Sequence, residues 1–289
     1  MKVKVHLECI PCFLRQALEA IGMSSDDEAM REEALRAVMS YLLHEEWTKT
    51  IPELGTNVHR IVKRITGNED PYKRLKEKCN TMASKLYPKL EPTVKNSKDP
   101  LLTAAKIAIA GNTIDFGPRM EINLRQAVEK MLGGELVIND IERLKKSALE
   151  SKNILYLADN AGETFFDRTL IEELEKQNIN VTYVVKGAPI LNDATFRDAE
   201  MAGIDGVANV VSTGTDCVGV LFNECSKEFL KEFENSRLVI SKGQGNYESL
   251  NDVKNKEIFF LLKIKCPIIA EDIGAKTGSI VLKKFFKDE

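Results

Sequence analysis

Histidine is the scarcest catalytic residue in this chain: His6, His44 and His59 are the three present, and none follows residue 59. That distribution argues against a His-rich catalytic zinc centre or a Ser-His-Asp triad in the long remainder. Six cysteines in 289 residues are too few for a disulfide scaffold. The start, MKVKVHLECIPC, runs into cysteines and a proline instead of an apolar signal core. The expectation is therefore a cytoplasmic protein in a reducing compartment, not a secreted one. No run approaches the roughly 18 to 20 apolar residues of a membrane span. No charge of one sign dominates either, since Lys+Arg 41 against Asp+Glu 44 leaves a net charge of -3. Without a basic block, nothing recommends a nucleic-acid partner. A complete dinucleotide fingerprint is also missing: Gly243-x-Gly245 lacks a third glycine, and the spacing of Gly274-Ala275-Lys276-Thr277-Gly278 is wrong for a phosphate-binding P-loop.

What remains is ordinary globular composition, 43% apolar and 29% charged, at a length that suits one large or two modest domains. The first ninety-odd residues carry helical periodicity. Met30, Ala34, Leu35, Val38, Met39 and Leu42 share one face after the capping run Ser24-Ser25-Asp26-Asp27. Val58, Ile61, Val62 and Ile65 repeat the spacing until Gly67-Asn68, and a further helix opens at Asp70-Pro71 and is expected to stop near Pro88. From about residue 151 short apolar runs alternate with helical stretches. Strands are expected at 154–158, 181–185, 207–211, 238–241 and 259–264, and helices at 165–175, 194–201 and 218–233. That alternation predicts βαβ units, hence an α/β chain with a mainly parallel, Rossmann-like sheet covered by helices on both faces. The expected division is a helical part over 1–95 and an α/β part over 96–289, with 96–150 as a helical bridge and a soft boundary.

Ligands of an open parallel sheet collect beyond the carboxyl ends of its strands. Five expected strand ends carry polar or glycine-rich segments: Asp159-Asn160-Ala161-Gly162-Glu163, Lys186-Gly187 leading to Asn192-Asp193-Ala194-Thr195, Ser212-Thr213-Gly214, Lys242-Gly243-Gln244-Gly245-Asn246-Tyr247-Glu248, and Lys265. Asp159, Asn160 and Asp193 provide two carboxylates and an amide carbonyl, a hard oxygen set suited to Mg²⁺ or Mn²⁺. Gly162 permits a tight turn into a helix whose first N–H groups suit an anion, and Lys242 and Lys265 add positive charge. The combination describes a metal-assisted phosphate site. Taken singly, Asp159-Asn160-Ala161-Gly162 or Asn192-Asp193 could each be no more than a helix cap. Their recurrence at successive strand ends favours the site.

These motifs, in this order, resemble the damage-control phosphatase family, long filed as domain of unknown function 89. Gly111-Asn112-x-x-Asp115 matches a further family motif, and Cys9-x-x-Cys12 with Cys79 is similar to its prokaryotic branch. The resemblance implies a helical N-terminal part, a Rossmann-like α/β part, and hydrolysis of phosphate monoesters of small metabolites, including sugar phosphates and damaged or side-product phosphometabolites. It implies a divalent metal, Mn²⁺, Co²⁺, Ni²⁺ or Mg²⁺, on Asp159, Asn160 and Asp193, and substrate contact along the segment from Lys242 to Tyr247, with Lys242, Gly243, Gly245 and Asn246 as its contacts. In the eukaryotic branch a basic motif ends in the lysine matched by Lys265. The arginine that opens it there is Leu262 here, so no sugar-phosphate preference is carried over.

Glu163 is expected to position water or contact substrate, or to serve the helix dipole as a first-turn acid. Asn112 and Asp115 are expected to close the site from the helical side, and Thr213 and Gly214 to contact substrate. Both a nucleophilic Asp159 and direct attack by water stay open. Cys9, Cys12 and Cys79 have three readings, namely packing, a second metal site and a redox pair. Two other functions compete with the phosphatase. A Rossmann-like methyltransferase lacks here the glycine-rich loop after an early strand, and a non-catalytic metal- or metabolite-binding protein would share the ligand set without turnover.

Overall fold

A computed structural model describes residues 3–111, 126, 128–130 and 132–286. Asn112 and Asp115 lie outside the described residues. The chain opens with helices α1 (Cys9–Ser24), α2 (Glu28–His44) and α3 (Ile51–Thr66). Phe13, Ala17, Ala20 and Ile21 of α1 meet Ala34, Val38 and Leu42 of α2 and Leu54, Val58 and Val62 of α3 in one hydrophobic cluster. The start of α3 is fixed by a capping box. The Thr50 side chain accepts from the Glu53 N–H, and Glu53 accepts from the Thr50 N–H at 2.7 Å. Gly67, at φ +66°, ends the helix in the left-handed conformation that glycine adopts without steric cost.

Helix α4 (Lys73–Lys95) does not stop near Pro88 as expected but continues with both Pro88 and Pro92 inside it. Each proline removes a helix hydrogen bond. Burial of Leu90 and Val94 on the far side of Pro88, beside Met82 and Ala83 before it, holds the line of the helix against the α/β core. Helix α5 (Pro100–Gly111) is almost wholly apolar and joins the same core.

Among the described residues, seven strands form one sheet in the order β1-β7-β6-β5-β2-β3-β4. They are β1 (Ile138–Asn139), β2 (Asn153–Leu157), β3 (Asn180–Val185), β4 (Asn209–Ser212), β5 (Leu238–Lys242), β6 (Glu257–Lys263) and β7 (Ile280–Phe285). All neighbouring pairs are parallel except β6 with β7. The intervening helices are α6 (Ile141–Ser151), α7 (Glu163–Glu175), α8 (Phe196–Met201), α9 (Lys227–Asn235), α10 (Gln244–Leu250) and α11 (Pro267–Ile273). Strand alternation divides the sheet into two faces. Ile154, Tyr156, Tyr183, Ile240 and Phe259 pack with α4, α5 and α7, while Leu155, Leu157, Val184, Val239 and Phe260 pack with α9, α10 and α11.

The expected mainly parallel α/β sheet is therefore present, with local differences. The helix expected over 218–233 begins only at α9, where the Ser226 side chain accepts from the Phe229 N–H at 3.2 Å. Helices α10 and α11 and the antiparallel strand β7 occupy sequence that carried no such expectation.

From β2 the chain moves outward to β3 and β4, then returns to the other side of β2 as β5 and moves outward again to β6. The topological switch lies between β2 and β5, where a crevice opens beyond their carboxyl ends.

Candidate active site

Asp159 follows β2 at that switch, and Gly243 follows β5 beside it. Gly243 sits at φ +78° and ψ 167°, and a β-carbon there would fall 2.0 Å from Asp159 Oδ2. Only glycine admits the carboxylate so close to the β5 turn. Asn160 pairs with Asp193 through an antiparallel bridge, and the Ala161 N–H donates to the Asn192 carbonyl at 2.8 Å. The loops after β2 and β3 are thus stitched together, which brings Asp159, Asn160 and Asp193 onto the wall of one cleft of about 800 Å³.

The carboxylates are crowded there. Burial first, then the negative charges of Glu163 and Asp193, push the Asp159 carboxyl up to about 8 against the pull of Lys265 and Lys242. Burial likewise raises Asp193 to about 6 although the Lys186 ammonium, 3.6 Å away, opposes it. Burial and mutual repulsion outweigh the positive charge that Lys186, Lys242 and Lys265 bring to these carboxyls, and a bound divalent cation would add to it. The donor chemistry fits such an ion. Among the described residues no group of three or more His, Cys, Asp or Glu side chains is arranged to hold a metal. Asp159 and Asp193 would then be joined by the Asn160 amide oxygen, water and substrate oxygens, the ligand habit of Mg²⁺ and Mn²⁺.

Glu163 and Lys242 stand behind this wall, not on it. Lys242 is wholly buried, and its ammonium donates to Glu163 Oε2 at 2.9 Å and Asp167 Oδ1 at 2.7 Å. Burial works to lower its proton affinity, but the two carboxylates outweigh this and hold it above the usual lysine value. The expected contact of Lys242 with a phosphate is therefore not what its side chain makes. Asn246 is also buried, donating to the carbonyls of Ala158 and Lys242 at 2.9 and 2.8 Å and tying α10 to the ends of β2 and β5. Gly245 and Lys265 line the cleft. Thr213 and Gly214 do not line it. They form the turn after β4, with the Ser226 N–H donating to the Thr213 carbonyl at 2.9 Å.

Cys9 and Cys12 lie in the first turn of α1 and line the same cleft, with Cys266 across from them at the start of α11. Burial raises both thiols of the α1 pair, away from thiolate reactivity. Cys79 stands apart from that pair in the α/β core, where its β-carbon bounds the Gly162 turn.

Asn80, Lys63 and Arg60 gave no sequence signal on their own. Asn80 of α4 accepts from the Gly162 N–H and donates to Asp198, each at 2.7 Å, so the helical part seats the β2 loop. Lys63 of α3 donates to Asp216 and to the Pro189 carbonyl at 2.7 and 3.1 Å, and Arg60 to Asp216 and Glu224, which ties α3 to the loops after β3 and β4. Glu248 lines the cleft from α10, and burial pushes its carboxyl up to about 7. A charged residue on an otherwise buried helix face is the signal that marks it.

The chain is similar to known proteins over nearly its whole length. A family model described as the damage-control phosphatase ARMT1-like domain matches residues 5–281. An uncharacterized protein of Methanocaldococcus jannaschii is 43% identical over 98% of this chain and 96% of its own. Proteins named damage-control phosphatase are 36% identical in Pyrococcus horikoshii, over 96% of this chain and 97% of that one, and 35% identical in Archaeoglobus fulgidus, over 97% and 99%. The crystal structure of a DUF89 family protein from Pyrococcus horikoshii superposes with a TM-score of 0.91 at 35% identity, covering 97% of this chain and 99% of that one. The chain belongs to the ARMT1-like, DUF89 family of damage-control phosphatases.

Proposed function

We propose that this protein is a divalent-metal-dependent phosphatase that hydrolyses phosphate monoesters of small, damaged or side-product metabolites. The observation that carries the reading is the convergence of Asp159, Asn160 and Asp193 on one cleft at the switch between β2 and β5. The naming of the Pyrococcus and Archaeoglobus relatives as damage-control phosphatases supports it. A cytoplasmic site of action belongs to the proposal and agrees with six free thiols. Among the described residues no helix is long and apolar enough to cross a membrane.

In this reading Asp159, the Asn160 amide oxygen and Asp193 hold the ion, whether Mn²⁺, Co²⁺, Ni²⁺ or Mg²⁺. When bound, it polarises a phosphoryl oxygen as a Lewis acid and offsets the crowded carboxylates. Lys265, on the cleft wall, neutralises a second phosphoryl oxygen. Glu248 is retained partly protonated near neutral pH by burial, and so can give a proton to the leaving alkoxide. The apolar walls, Phe13, Tyr72 and Leu75 among them, receive the body of the substrate and exclude water from the reacting end.

The test is phosphate release from a panel of phosphorylated metabolites with each of the four ions, against a chelator control. Asp159→Ala, folded by circular dichroism, is expected to lose hydrolysis. Full activity in the presence of chelator would sink the metal-dependent reading, and methyl transfer without phosphate release would replace the phosphatase altogether.

A further inference from the structure

A polar relay runs beneath the proposed metal wall and crosses the sheet core. Tyr156 of β2 and Tyr183 of β3 lie side by side, ring centroids 5.3 Å apart, both wholly buried. Their hydroxyls donate to the two oxygens of Asp167, at 2.7 Å to Oδ1 and 2.8 Å to Oδ2. Lys242 of β5 donates to the same Oδ1 and to Glu163 Oε2. Glu163 and Asp167 are four residues apart on one face of α7, which is why a single ammonium spans both. Glu163 Oε1 in turn accepts from Asn160 Nδ2, and the same amide nitrogen donates to Asp159 Oδ2 at 2.8 Å.

The consequence concerns the orientation of Asn160. A side-chain amide has one face that donates and one that accepts. Both amide protons of Asn160 are committed to carboxylates, and a flipped amide would set its oxygen against the oxygens of Asp159 and Glu163. The relay therefore leaves Oδ1 as the atom that a cation can use. Glu163 can enforce this only while Lys242 grips its other oxygen, and Lys242 is aimed by Asp167, which the two phenols clamp. As a source of stability alone such a buried charge network is a poor device, because desolvation offsets most of its attraction.

We infer that Asp167, Lys242, Tyr156 and Tyr183 are positioning residues, locking Glu163 and through it the Asn160 amide so that Oδ1 is presented to a divalent cation. The inference rests on the metal reading proposed above. Partners one step removed from a metal commonly change its affinity by about 10- to 100-fold. The same range is expected here.

The test uses Mn²⁺ as the probe. The purified chain is freed of metal by chelation and dialysis, then titrated while electron paramagnetic resonance reads free Mn²⁺. Asp167→Asn keeps the side-chain shape and removes the charge, and Tyr183→Phe removes one hydrogen bond and no charge. Each is titrated far below its unfolding midpoint, after near-ultraviolet circular dichroism matches the parent. The expected result is Mn²⁺ binding weakened about 10- to 100-fold in Asp167→Asn, and weakened in the same direction but less in Tyr183→Phe. If Asp167→Asn does not fold, the Tyr183→Phe titration decides alone. A dissociation constant within about twofold of the parent in the folded variants overturns the positioning role and leaves the metal reading standing. A parent chain that binds no Mn²⁺, and by calorimetry no Co²⁺, Ni²⁺ or Mg²⁺, overturns both.

Discussion

Replacing Glu248 by glutamine should alter how the stability of this protein depends on pH more than it alters stability itself. Glu248 faces the cleft from α10 with 5% of its surface exposed, and the Gln244 amide donates to its Oε1 at 2.8 Å. Gln244 is in turn held by the Lys265 N–H, which donates to its Oε1 at 2.9 Å. Burial raises the carboxyl from 4.5 to about 7, and Gln244 and Lys265 offset only part of that rise. Cys9, Cys12 and Lys265 share the cleft with it. The sign follows from proton linkage. Between the unfolded value and about 7 the folded chain holds a proton that the unfolded chain has released, so stability falls as pH rises through this window. Integrated from pH 5 to pH 8, this one group removes about 2 to 3 kcal/mol. Glutamine keeps the acceptor for Gln244 but cannot ionise. Urea unfolding of the metal-free chain at the two pH values, parent against Glu248→Gln, measures the difference directly. Asp159 and Asp193 titrate over an overlapping range, but they do so in both proteins and cancel in the comparison. The parent should lose about 2 to 3 kcal/mol more than the variant between the two pH values. Equal losses, within about 0.5 kcal/mol, would refute the buried, uncompensated carboxyl on which the proton-donor role of Glu248 depends.

Gly243→Ala should lower phosphate release by about 100-fold or more while far-ultraviolet circular dichroism is preserved, because the new methyl group displaces the Asp159 carboxylate it would meet at 2.0 Å. Lys265→Met should reduce kcat/KM for phosphomonoesters by about 10- to 100-fold through loss of a charge-assisted contact, with Mn²⁺ affinity nearly unchanged. A parallel loss of Mn²⁺ binding would reassign Lys265 to the metal wall. Thr50→Ala removes the capping box of α3 and should cost about 1 kcal/mol in urea unfolding, with activity per folded molecule unaffected.

The sheet was legible because β2, β3, β5 and β6 are buried on both faces, so each reads as an apolar run ended by a polar loop. The same property exposed Asp159, Asn160 and Asp193, since a strand end is where apolar sequence gives way to chemistry. Helix α10 was hidden by its own composition: Gly243, Gly245 and Asn246 are poor helix formers. Its start is enforced from outside, by Asn246 donating to the carbonyls of Ala158 and Lys242. Strand β7 pairs antiparallel with β6 and carries the adjacent Lys283 and Lys284, one toward each face of the sheet, so only Ile280–Leu282 read as apolar and the run is too short to mark a strand. Pro88 on its own predicts a helix end, whereas the core contacts of Leu90 and Val94 carry the helix through it and through Pro92. The relay under the site had one visible trace. Glu163 and Asp167 stand on the inward side of a helix otherwise lined with Phe166, Leu170 and Leu174. Carboxylates four apart on an apolar face require a buried cation, and Lys242 at the end of an adjacent strand supplies it.

Pairing also accounts for why net charge carried no information about the ligand. With 41 basic and 44 acidic residues the chain has no excess to advertise, and the lysine that most resembled a phosphate ligand is spent on Glu163 and Asp167. Arg60 and Lys63, the basic residues of α3 nearest the loops after β3 and β4, are spent on Asp216 and Glu224. The electrostatics of the cleft are consequently set by Asp159, Asp193 and Glu248, whose carboxyls burial raises in spite of the lysines near them, with Lys265 on the same wall. As these carboxyls ionise, the wall becomes anionic and repels a phosphate monoester, itself an anion, until positive charge is placed between the two. Affinity for substrate should accordingly depend on occupation of the Asp159–Asn160–Asp193 site far more steeply than on ionic strength, because a charge in contact with both partners is little screened.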